Sequence, residues 1–162
     1  MNIVLATILA CTAAYPAPNP EAIAQVRAGE QKTAYASWWG FDPNDATLAL
    51  QAAIDSGATK VIVEDMKTPW VVRPIRLADD QELVLEPGVV LLAQRGEFRG
   101  SNDSLLSASG KKNIRITAPG ATLRMWRDDY DRPPYQKAEW RHGLNLRSCT
   151  GVRITGLTIV ES

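Results

Sequence analysis

Three stretches of the chain repeat one short pattern, in which alternating apolar and polar residues surround a Gly-containing bend. They are residues 82–92 (ELVLEPGVVLL), 113–125 (NIRITAPGATLRM) and 151–160 (GVRITGLTIV). Short strands that end in sharp bends and stack in register on similar units are typical of a β-solenoid. The sequence therefore predicts an all-β fold made of stacked parallel strands.

The last repeated unit runs to the final residue, Ser162, without a sequence that resembles a capping element. A solenoid that ends on an uncovered unit exposes a cross-section of its core and an unpaired strand edge. We therefore expect the solenoid to be truncated at its C-terminal end, with this chain forming the first part of a larger protein.

The composition excludes some partners. The 162 residues include 18 Lys and Arg against 18 Asp and Glu, and this balance does not favour nucleic acid or an anionic membrane as a partner. Several short bends are expected from the 11 Gly and 10 Pro residues.

An export signal is predicted over residues 1–17. Residues 3–14 (IVLATILACTAA) form an apolar run of the length of a signal-peptide core, too short to span a bilayer, and small residues follow it. Residues 8–11 (ILAC) also resemble a bacterial lipoprotein box, in which Cys11 would carry the lipid. The predicted location is secreted or periplasmic, with an outer-membrane lipoprotein as the alternative, and a buried N-terminal strand or helix is the competing interpretation.

A linker and a short helix are predicted over residues 18–37, and the main folded unit over residues 38–162. Within that unit, residues 42–55 have an apolar stripe at helical spacing, with Asp42 as the cap, Pro43 at the first helical position and Gly57 just after the end. An amphipathic helix before the first unit would cover the open end of a solenoid.

Residues 42–58 (DPNDATLALQAAIDSGA), residues 61–63 (VIV) and residues 151–159 (GVRITGLTI) resemble the pectate-lyase superfamily. The resemblance implies a right-handed parallel β-helix with an N-terminal amphipathic cap helix. It also implies an exported carbohydrate-active protein that acts on polysaccharide glycosidic bonds, with hydrolysis favoured over lyase chemistry. The alternative is a non-catalytic β-helix for polysaccharide binding or adhesion. Catalytic residues stay unknown and are expected beyond Ser162, where acidic residues occur in the polygalacturonase-like branch.

The candidate binding segment is residues 126–141 (WRDDYDRPPYQKAEWR), which holds four of the nine Trp and Tyr residues of the chain. Aromatic rings offer flat faces to sugars, while charged groups bind hydroxyls and carboxylates. The competing interpretation is a loop whose aromatic residues pack against the body of the protein. The predicted substrate-binding residues, with a polysaccharide or oligosaccharide as partner, are Trp126, Asp128, Asp129, Tyr130, Tyr135, Trp140, Arg141 and His142.

No metal site is predicted, because Asp128, Asp129 and Asp131 lack the spacing of a calcium loop and are flanked by arginines. No cofactor is expected, except Ca²⁺ if the activity is that of a lyase. His142, the single histidine, is a hydrogen-bonding residue or an acid–base group. Asn145 points to a binding face or into a polar ladder. The lone Cys149 is expected to be a small buried residue.

Overall fold

A computed structural model describes residues 15–137 and 141–162. These residues form two α-helices, α1 (Pro20–Arg27) and α2 (Thr47–Ile54), two short 3₁₀ helices and ten strands. The strands are β1 (Thr33–Tyr35), β2 (Lys60–Val63), β3 (Trp70–Val72), β4 (Ile75–Arg76), β5 (Glu82–Leu85), β6 (Val90–Ala93), β7 (Ser104–Ser109), β8 (Arg115–Arg124), β9 (His142–Arg147) and β10 (Arg153–Val160). The predicted apolar run at residues 3–14, with Cys11, lies outside the described residues.

Seven of these strands form one sheet in which each described pair is parallel. Its order is β1-β2-β5-β8-β6-β3, with β10 also paired to β8. The long strand β8 joins the two halves, because its first residues pair with β5 and its last residues pair with β6. Between those halves the chain bends at Pro119 and Gly120, where Gly120 has a φ of 75°.

The remaining strands form a separate parallel sheet in the order β4-β7-β9. Ile75 of β4 lies opposite Leu106 of β7, and Leu106 lies opposite Leu144 of β9. Ile75 and Leu106 are fully buried and Leu144 packs against the same core. Because strand side chains alternate between faces, the residues next to them are placed on the other face of this sheet.

Helix α2 carries the predicted apolar stripe, since Leu50, Ala53 and Ile54 are each at most 1 % exposed. The helix begins at Thr47, later than the sequence indicated. The Asp42 carboxylate, predicted to cap the helix, instead accepts a hydrogen bond of 2.8 Å from the Asn44 N–H. Asp45 is the acid at the helix start, accepting a hydrogen bond of 3.0 Å from the Thr47 N–H.

The predicted fold class, an all-β right-handed parallel β-helix with a cap helix, is wrong. The described chain is an α/β fold, with a mostly parallel seven-stranded sheet and two helices. The second and third repeated units do not form separate short strands, because β8 and β10 each run through their glycine bend as one strand of the sheet. The repeat pattern specified short apolar strands in parallel register, but such a pattern does not specify how the strands combine into sheets.

Candidate functional site

A polar face lies on the three-stranded sheet, opposite the side that packs into the core. Arg76 of β4, Ser107 of β7 and Asn145 of β9 occupy successive register positions across the sheet. Two residues further along, Ser109 lies opposite Arg147. These five side chains follow the outward positions of the strands, so one surface carries two guanidinium groups, two hydroxyls and an amide. We call these five residues the polar face.

An open groove of about 340 Å³ runs over this face. Its lining consists of the polar face together with Leu77, Ala108 and Lys111. A mixture of a few convergent polar groups with apolar walls is typical of small-molecule and sugar sites. The groove is therefore the candidate binding site of the described chain.

Helix α2 fixes the position of Arg76 through Gln51. The Arg76 N–H donates a hydrogen bond of 2.9 Å to Gln51 Oε1, and Gln51 Nε2 donates one of 3.0 Å to the Arg76 carbonyl. Both backbone groups of this edge residue are thus bonded to the helix, while its side chain stays exposed. On the next strand, Ser107 Oγ donates a bond of 3.4 Å to the Ile75 carbonyl.

The positively charged side chains of the groove differ in whether they already have a partner. Lys111 Nζ lies 2.9 Å from Asp79 Oδ2, so this cation is already paired. Within residues 15–137 and 141–162, the guanidinium groups of Arg76 and Arg147 have neither an ion pair nor a side-chain hydrogen bond. Arginine presents several donors in a planar fork, so these two groups are available for carboxylates and hydroxyls.

Trp126 of the predicted binding segment packs against the body of the protein. Its indole Nε1 donates a hydrogen bond of 2.6 Å to the Ala93 carbonyl, and the Arg95 guanidinium lies 3.9 Å from the centre of the indole ring. One face of this ring is therefore occupied by a cation from the same chain. Trp140 lies outside the described residues.

Tyr130, Tyr135 and Arg141 form a second cluster. The tyrosine rings meet edge to face at 5.0 Å, and the Arg141 guanidinium lies 4.9 Å from the centre of the Tyr130 ring. Tyr135 Oη accepts a hydrogen bond of 2.7 Å from the Gly96 N–H. Arg141 is 5 % exposed and Tyr130 is 7 % exposed. Burial raises the pKa of Tyr130 from 10.0 to about 12, so its hydroxyl stays protonated in a pH range where an exposed tyrosine ionises.

The acidic residues of the segment are arranged differently from one another. Asp129 Oδ2 lies 3.1 Å from Arg95 Nε, and Asp128 lies in a 3₁₀ helix with an exposed side chain. Asp131 is exposed as well. Among the described residues there is no group of three His, Cys, Asp or Glu side chains suited to a metal ion.

His142 begins β9 at the position opposite Ser104 of β7, so it belongs to the same sheet as the groove without lining it. Its side chain is half-buried. Cys149 is also half-buried, and its Sγ lies 3.3 Å from the Arg147 carbonyl. The segment 126–141 therefore precedes the groove-forming strand in sequence, but its described residues do not line the groove.

Sequence reasoning singled out Asn145 as a candidate for a binding face but missed Arg76, Ser107, Ser109 and Arg147. A signal existed in the alternation of polar and apolar residues over residues 104–109 (SLLSAS) and 142–147 (HGLNLR). Arg76 lies in a two-residue strand. Arg76 lies beside Ser107 only because β4 pairs with β7, and the sequence does not reveal this pairing of strands.

Comparison of the chain with protein-family models, with curated proteins and with solved structures gives no match. Within the part of the chain that the structure describes, no helix has both the length and the apolar character needed to cross a membrane.

Proposed function

We propose that this chain binds a polysaccharide or oligosaccharide in the groove of the three-stranded sheet. The observation that carries the proposal is the register of the polar face, which places Arg76, Ser107 and Asn145 side by side with Ser109 and Arg147 next to them. Sugars present hydroxyls at regular intervals, and acidic sugars add carboxylates. Amide, hydroxyl and guanidinium groups are the side chains that bind these groups.

Binding has more support than bond cleavage, because none of the described residues that line the groove carries a carboxyl. A glycosidase needs one carboxyl that stays protonated as a general acid, and burial or a like charge raises the pKa of such a group. Asp79 pairs with Lys111 of the groove, and the hydrogen bond from Lys111 lowers the pKa of this carboxyl. Asp79 is therefore held in the ionised form and is unsuited to the role of general acid. Glycosidic bond cleavage and export from the cell stay predictions.

The experiment is a binding titration of the purified chain against neutral and acidic oligosaccharides. We expect saturable binding that Arg147→Gln weakens about tenfold, the loss of roughly one charge-assisted hydrogen bond. Arg132→Gln is the matched control, since Arg132 is an exposed arginine outside the groove. Equal affinity of the two variants, or no binding of any oligosaccharide by the wild-type chain, would contradict the proposal.

Product analysis in the same samples separates binding from cleavage. The proposal expects the oligosaccharide to be recovered intact. New reducing ends without unsaturated sugars would show a hydrolase, and unsaturated products would show a lyase.

A further inference from the structure

A column of charged residues crosses the seven-stranded sheet, on a different surface from the groove. Lys60, Glu82, Arg115 and Arg153 occupy successive register positions on β2, β5, β8 and β10. Thr117 and Thr155 lie two residues further along β8 and β10 and so point to the same side. We call these six residues the charged column.

Glu82 carries the single negative charge of the column and lies between Lys60 and Arg115. Glu82 Oε2 lies 3.0 Å from Lys60 Nζ, and Glu82 Oε1 accepts a hydrogen bond of 2.9 Å from the Thr117 hydroxyl. Arg115 is close enough to Glu82 to help lower the pKa of its carboxyl. Arg153 has no ion pair or side-chain hydrogen bond with any described residue.

Arg115 and Arg153 are therefore like charges placed directly opposite each other on adjacent strands. Like charges in this position destabilise a sheet. Their backbones are separated by the spacing of paired strands, about 4.8 Å, so both flexible side chains can reach one ligand. Both residues are exposed.

The space above the pair is concave. An open groove of about 480 Å³ is lined by Glu82, Arg115, Thr117, Arg153 and Thr155. A second groove of about 550 Å³ shares Glu82 and Arg115 with it and continues to Lys60. Guanidinium donors on two strands thus face one cavity, with the Thr155 hydroxyl beside them.

We propose that Arg115 and Arg153 bind an oxyanion, with the Thr155 hydroxyl as an additional donor. Carboxylate, sulfate and phosphate groups share the chemistry required, namely negative oxygens that accept paired bonds from a guanidinium fork. Such an anion relieves the repulsion between the two arginines. The site does not depend on the proposed glycan groove, because its residues lie on the other sheet.

The test is a titration with inorganic sulfate, inorganic phosphate or acetate, in which NMR measures the chemical shifts of the arginine side chains. Sodium chloride at equal ionic strength serves as the reference, since general screening acts on all exposed charges. We expect saturable shifts at Arg115 and Arg153, and a dissociation constant that Arg153→Gln raises about tenfold. Arg124→Gln is the control, because Arg124 lies on β8 but is already paired with Glu161 at 2.7 Å.

Shifts that grow linearly without saturation, or an affinity that Arg153→Gln leaves unchanged, would overturn the proposal. Tighter binding of sulfate and phosphate than of acetate identifies a tetrahedral anion, and the reverse order identifies a carboxylate. Dextran sulfate in place of free sulfate then distinguishes an anionic polymer from a free ion. Arg147→Gln, which tests the glycan groove, is expected to leave sulfate binding intact, so either proposal can fail alone.

Discussion

Arg141 Nε donates a hydrogen bond of 2.8 Å to the carbonyl of Phe98, which precedes it by 43 residues. Arg141 Nη2 also donates a bond of 2.6 Å to the Gln136 carbonyl. One buried guanidinium therefore ties the end of the segment 126–141 to the loop that precedes β7. This relationship explains why the aromatic residues around it are packed inward, since they surround the arginine that holds the two segments together.

Arg141→Lys is expected to destabilise the protein by about 2 kcal/mol, because an ammonium cannot reproduce the forked donors and leaves buried carbonyls without partners. Chemical denaturation measures this change. Arg132→Lys is the control, since Arg132 makes a single exposed hydrogen bond to the Asp128 carbonyl. Equal stability of the two variants would mean that the guanidinium of Arg141 does not hold the segments together.

Because of the buried Tyr130, we expect the stability of the protein to fall at alkaline pH. Burial raises its pKa from 10.0 to about 12, so its contribution is complete below pH 10 and is lost as the pH rises toward 12. The loss amounts to at most about 3 kcal/mol. Tyr130→Phe should remove this part of the pH dependence, as measured by urea denaturation from pH 9 to pH 12. An unchanged slope in the variant would contradict the assignment.

Because of Glu82, we expect the stability of the protein to fall at acid pH as well. Hydrogen bonds from Lys60 and Thr117 lower the pKa of its carboxyl from the ordinary value of 4.5. The stability it contributes is therefore present above pH 4.5 and is lost as the pH falls through the folded-state pKa. Glu82→Gln should flatten the acid limb of the stability curve, and an unchanged limb in this variant would contradict the assignment. The measurement is the urea midpoint between pH 2 and pH 6.

Alanine substitutions at Gly57 and Gly156 separate the cost of backbone strain from the cost of steric crowding. Both have positive φ values, 88° at Gly57 and 72° at Gly156. A Cβ at Gly156 would lie 2.8 Å from Pro119 Cα, whereas a Cβ at Gly57 has no heavy atom within 4 Å. We expect Gly57→Ala to cost about 1 kcal/mol from strain alone and Gly156→Ala about 3 kcal/mol. Thermal melts provide the measurement. Equal melting temperatures of the two variants would contradict the close approach of β10 to Pro119.

The register of the sheet shows how far the sequence pattern could be followed. Aligning the three repeated units on their apolar residues predicts that Leu83 pairs with Ile114 and that Ile114 pairs with Val152. In the sheet, Leu83 lies opposite Ile116, which lies opposite Ile154. The prediction is two residues off between the first two units and correct between the last two. A shift of two residues leaves each side chain on the same face, so the hydrophobic pattern cannot detect it.

The candidate site was harder to predict than the strands. The aromatic-rich composition of residues 126–141 pointed to ligand binding, but composition alone does not distinguish a ring that binds a sugar from one that packs around Arg141. The polar face was missed because its members come from three strands that are far apart in sequence. Ser107 and Asn145 become neighbours only because β7 and β9 pair while the residues between them belong to other elements.

Tyr135→Phe and Asn145→Ala form a crossed pair that decides between the loop and the sheet as the binding surface. Tyr135 Oη accepts a hydrogen bond from the Gly96 N–H. Loss of this hydrogen bond in Tyr135→Phe should cost about 1 kcal/mol of stability and leave oligosaccharide affinity unchanged. Asn145 lines the groove with a half-buried side chain. We expect its truncation to weaken oligosaccharide binding several-fold with little change in the melting temperature. Weaker binding by Tyr135→Phe together with unaltered binding by Asn145→Ala would move the site to the loop, where the sequence first placed it.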